Sequence, residues 1–182
     1  MLLAAQLLSL CLFPVIDDSS GGRLMYAALA TVVVSLALWV VNRSPAVNWI
    51  GWLFAAPAIG LGLAALLLHH DDWLVWSSLC ESLLYFYSAG ALIAYMLQDT
   101  EVTSDELFAA GATFTLLAWG FAYAYFVCQA WYPRSFTALL APESPRSWIE
   151  LLFLSFTTLS GVGLGDVLPL SAPARVLVML EE

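Results

Sequence analysis

The stretch Ser155-Phe156-Thr157-Thr158-Leu159-Ser160-Gly161-Val162-Gly163-Leu164-Gly165-Asp166-Val167-Leu168-Pro169 sets three glycines at alternating positions directly behind an apolar run. That run, Trp148–Leu159, has only 12 residues. At about 1.5 Å per residue it would cover roughly 18 Å, too little for a bilayer core of about 30 Å. Ser147 and Glu150 have the spacing of a capping box, which predicts that a helix begins at Trp148. Gly161, Gly163 and Gly165 then permit backbone angles closed to other residues, so the helix is expected to stop there. Non-helical backbone at membrane depth survives only where it is buried in protein or lines a watery path. The segment therefore reads as a re-entrant half-helix followed by an extended ribbon.

The composition supports a membrane setting. The chain has 182 residues, is 62% hydrophobic and only 10% charged, and has a mean hydropathy of +0.88. A soluble domain carries about 25% charged residues, so this chain could not cover a water-facing surface. Five arginines supply all the positive charge and form no basic stripe, which excludes a nucleic-acid partner and a polybasic lipid anchor. Most acids fall in connectors, at Asp17-Asp18, Asp71-Asp72, Asp99 to Glu106 and Glu181-Glu182. Cys11, Cys80 and Cys128 lie within apolar segments, without metal-ligand spacing or a disulfide framework, and read as small buried side chains.

Five apolar runs precede the short one: Leu2–Ile16, Leu24–Val41, Trp49–Leu68, Trp73–Leu97 and Leu107–Tyr132. The first lacks the basic start and small-residue cleavage pattern of a signal peptide and is read as a short membrane helix. Trp49, Trp73 and Trp131 stand at run ends, where an aromatic belt would lie. Pro133 to Pro145 reads as an irregular surface loop. Ser171 and Pro173 suit the start of another helix. The expected fold is an all-α, multi-pass integral membrane protein with five transmembrane helices, a re-entrant helix and loop, and the start of a sixth helix. Residues 1–104 are expected to form a peripheral four-helix region and 105–182 a second domain.

Alternating glycines let successive carbonyls face one axis, and a ring of such carbonyls from several subunits can replace the water around a cation. The half-helix would aim its negative C-terminal end at the same axis. At these residues the sequence resembles the pore segment of potassium channels, whose signature T-V-G-Y-G-D often follows T-T-L-T and precedes a proline. Leu in the Tyr position resembles pore segments of two-pore-domain potassium channels. Ala172 through Glu181 resembles the start of the family's inner helix, and the preceding helix, with Val102-Thr103, more loosely resembles bacterial six-helix ion-channel proteins.

The resemblance implies a homotetramer in a lipid bilayer, with potassium held by the carbonyls of Gly161, Val162, Gly163 and Leu164. Ser160 would stand at the inner mouth, and Gly165 and Asp166 would complete the filter. Phe153, Leu154, Thr157 and Thr158 would support it from the pore helix. Gly161 replaces the family's Thr and Leu164 its Tyr, so two hydroxyls are missing and strict selectivity is expected to be more fragile. A weakly selective cation channel and a non-conducting membrane subunit are the alternatives. No cofactor is expected beyond the permeant ion.

Other residues carry weaker signals. Glu81 is a carboxyl within the fourth run and a candidate sensor, or a hydrogen-bonded acid beside Ser77 or Tyr85. The fourth run has no arginine, so it lacks the charges of a voltage sensor. His69-His70-Asp71-Asp72 reads as a solvated helix end, because adjacent residues converge poorly on one metal. A nucleophilic Ser160 would need a histidine base, and both histidines are far upstream, so no enzyme is expected. A filter facing outward places the N-terminus in the cytoplasm, although Arg23, Arg134, Arg146 and Arg175 then lie outside, against the positive-inside rule. The inner helix is expected either to continue past Glu182 as a further apolar stretch or to be supplied by a partner, and the first case leaves room for a cytoplasmic regulatory domain beyond it.

Overall fold

A computed structural model of the chain describes residues 2–17, 35, 48–68, 71–97, 104–138 and 141–182. The apolar runs become helices close to where polar residues end them: α1 (Leu2–Asp17), α2 (Asn48–Leu68), α3 (Asp71–Met96) and α4 (Ser104–Trp131). The run at 24–41 lies outside the described residues except at position 35, and His69, His70, Val102 and Thr103 lie outside them too. Among the described residues, the segments Asp72–Met96 and Glu106–Trp131 are long and apolar enough to cross a membrane. Trp49, Trp73 and Trp131 are exposed at helix ends, as belt residues would be.

The chain divides into two compact units, Met1–Leu117 and Ala118–Glu182. In the first, α2 packs along α3. Ala55 and Ala58 are buried on α2, and a Cβ on Gly62 would lie 3.2 Å from the Ser77 Oγ. Small side chains let two helix backbones approach, and here they admit a polar contact. The Ser77 hydroxyl donates to the Ala58 carbonyl at 2.8 Å. The Thr115 hydroxyl donates to Gln6 Oε1 at 2.6 Å, joining α4 to α1.

The second unit holds the end of α4, β1 (Phe136–Ala138), α5 (Trp148–Leu159), β2 (Val167–Pro169) and α6 (Ala172–Glu181). Its core is built from all of them: Tyr125, Cys128, Phe136, Leu151, Leu154, Val167 and Ala174. Trp148, at the start of α5, sits edge-on to Trp119 at 5.1 Å and against Tyr123 at 5.6 Å. Phe136 meets Tyr125 edge-on at 5.3 Å.

Here the structure corrects the expectation of an irregular loop over Pro133 to Pro145 in an all-α fold. β1 pairs antiparallel with β2, Phe136 opposite Pro169 and Ala138 opposite Val167. The ribbon is anchored by buried Ser135, whose carbonyl accepts from the Leu170 amide at 2.8 Å. The Ser171 hydroxyl donates to the Ser135 hydroxyl at 2.8 Å, tying the N-cap of α6 to the chain leaving α4. The rest of the connector is ordered by Gln129 and Arg146. Gln129 clasps the Arg146 backbone, donating to its carbonyl at 2.9 Å and accepting from its amide at 2.6 Å. The Arg146 guanidinium is buried, donating to the carbonyls of Ala141 and Ser144 and pairing with Glu150 at 3.3 Å.

Candidate functional site

The half-helix α5 starts and stops as its residues dictate. The Ser147 hydroxyl accepts from the Glu150 amide at 3.4 Å, while Glu150 Oε2 accepts from the Ser147 amide at 2.7 Å, completing the capping box. Leu154, Thr157 and Thr158 are buried. The Thr157 hydroxyl donates to the Leu154 carbonyl at 2.9 Å, so it is spent within the helix. Phe153 is exposed on this single chain, as is Leu164, so each leaves apolar surface uncovered.

Behind α5 the backbone turns into a ribbon. Gly161, Gly163 and Gly165 have φ of 71°, 55° and 74°, while no non-glycine residue between them has positive φ. Alternating the sign of φ is what swings successive carbonyls to a common side. The ribbon's amides point back at the helix. The Gly161 amide donates to the Thr158 carbonyl at 2.8 Å, and the amides of Val162 and Gly163 both donate to the Thr157 carbonyl at 2.9 Å. Among the described residues, the carbonyls of Gly161, Val162, Gly163 and Leu164 accept no hydrogen bond within the chain. Residues 160–166 are all exposed, Asp166 included. The Ser160 hydroxyl donates back to the Phe156 carbonyl at 2.7 Å.

Glu81 is buried in the first unit, with its carboxyl 3.3 Å from the Ser77 hydroxyl. The structure thus brings together the acid and one of the two partners expected for it. It brings no group of three or more metal-ligating side chains together among the described residues.

One buried acid escaped the sequence reading. Glu181 was grouped with Glu182 as a connector acid, yet it is a buried residue of α6, and only Glu182 is exposed. Tyr125 of α4 and Ser155 of α5, both fully buried, donate their hydroxyls to its two carboxyl oxygens. The available signal was an acid closing the apolar run Val176-Leu177-Val178-Met179-Leu180.

Taken together, a capped half-helix runs into an exposed glycine ribbon whose carbonyls accept no hydrogen bond among the described residues. Residues 111–181 match the model of a family described as ion channel, so over that stretch the chain carries an ion-channel domain. No curated protein and no solved structure matches the chain.

Proposed function

We propose that the chain is one subunit of a homotetrameric, potassium-conducting channel, with passive ion flow through a filter formed by residues 160–166. The observation that carries this reading is the ribbon itself: four exposed residues whose carbonyls accept no hydrogen bond among the described residues, with the amides of Gly161, Val162 and Gly163 bonded back to α5. Such carbonyls cannot face lipid, because each unsatisfied polar group in hydrocarbon costs several kcal/mol. They can face partially dehydrated cations on an axis shared with other copies. In this arrangement α4 is the outer helix, α5 the re-entrant pore helix and α6 the start of the inner helix. The remaining helices are further membrane spans, with the N-terminus in the cytoplasm and Asp166 facing out.

A weakly selective cation pore is the second reading. Gly161 supplies no hydroxyl to the innermost ion site, and Leu164 has no hydroxyl to brace the filter from behind. The test is a reversal-potential measurement on the full-length protein under opposed potassium and sodium gradients. A reversal near the potassium equilibrium potential supports the first reading, a value between the two equilibria the second. Absence of cation current from correctly assembled protein would remove both.

A further inference from the structure

Glu181 joins three elements at one point. It lies on α6, and its carboxyl oxygens separately receive the Tyr125 hydroxyl from α4 and the Ser155 hydroxyl from α5. Its relative exposure is 5%, and that of both partners is 0%. The ion pairs among the described residues, Arg134 with Glu143 and Arg146 with Glu150, do not involve it. A carboxylate taken from water is costly, and an aliphatic residue would pack here without that cost. What a carboxyl adds is direction: its two oxygens each accept a hydrogen bond from a different helix and so hold the two helices at fixed angles.

Ser155 stands two residues before Thr157, whose carbonyl receives the Val162 and Gly163 amides. We propose that Glu181 is a positioning residue of the filter, clasping Tyr125 and Ser155 so that the end of α5 is held where it anchors the ribbon. This inference rests on the pore reading above for its functional consequence, while its structural content stands apart from conduction. Displacing α6 would pull the carboxyl from Ser155, loosen the end of α5, and free the two amides that turn the carbonyls outward. The inner helix and the filter would then move as one unit, linked by side chains rather than by the intervening ribbon.

The test uses the full-length protein carrying Glu181→Gln, Ser155→Ala, Tyr125→Phe, and Glu181→Gln with Ser155→Ala. Amide hydrogen exchange is read at Val162 and Gly163, and the potassium-to-sodium permeability ratio in planar bilayers. Each of the three single substitutions should speed exchange at both amides about tenfold, the size expected for the loss of one buried hydrogen bond. The double variant should add little to either single, as residues of one network do. The permeability ratio should fall in the same variants. Unchanged exchange in Ser155→Ala and Tyr125→Phe, which only remove hydroxyls, would overturn the inference even if Glu181→Gln failed to fold. Exchange that responds as expected in a protein passing no cation current would sink the pore reading and leave the clasp standing.

Discussion

At Gly163 the backbone holds φ at 55° with no atom within 4 Å of where a Cβ would sit. The obstacle to a side chain within one subunit is therefore conformational and not a clash, which refines the reason glycine is needed. An L-residue in this left-handed region costs about 1–2 kcal/mol, and in a four-fold ring it would be incurred in every subunit. Gly163→Ala should abolish cation conduction while the protein still assembles, a result read by ion flux and size-exclusion chromatography on the same sample. Wild-type currents from that variant would remove Gly163 from the filter. Gly161 has φ of 71°, so it is not simply a threonine missing its side chain. A β-branched residue there is a true outlier. Gly161→Thr should consequently reduce current rather than sharpen selectivity, despite restoring the hydroxyl, and single-channel recording would show it. The alternation of glycines was legible in the sequence because positive φ is nearly a glycine property. The sign of φ at Gly161, which changes what its substitution would do, required coordinates.

Among the elements, those set by neighbours three or four residues apart could be read directly. The capping box of Ser147 and Glu150 and the N-cap at Ser171 are local, and both formed as their spacing implied. The β1–β2 ribbon could not be read, because two three-residue strands are too short to show alternation and pair across the whole of α5. Glu181 was illegible for the same reason: its partners lie 56 and 26 residues away. No local pattern encodes such a meeting. The connector before α5 is a second long-range construction, and it can be tested separately. Gln129→Ala removes both bonds to the Arg146 backbone. Leaving partly buried backbone groups unpaired should destabilise the second unit by about 1–3 kcal/mol. Ser147→Ala should cost about 1 kcal/mol through the lost cap. Thermal unfolding in detergent should rank Gln129→Ala below Ser147→Ala. The reverse order would mean that the connector does not bear on the stability of α5.

For the whole molecule, the decisive fact is how much one chain leaves unfinished in its second unit. Val162, Leu164, Leu168, Leu170, Val176, Met179 and Leu180 are all exposed, in the ribbon and on the elements that follow it. Lipid accepts exposed apolar side chains, so these residues alone would not require a partner. On the proposed reading the ribbon does, because its carbonyls are polar and accept no hydrogen bond among the described residues, and lipid offers them no donor. A single chain supplies one wall of a carbonyl cage. Copies related head to tail close into a ring, and a ring buries every copy of the ribbon in the same environment. On the proposed reading the ring has four copies. Brief cross-linking of the full-length protein in native membranes should give a ladder ending at the tetramer. A cysteine pair placed at Leu168 and Val176 would report whether these exposed faces adjoin other copies. A ladder ending at the dimer would contradict the four-fold ring, since each chain has one glycine ribbon of this kind and two could not surround an ion.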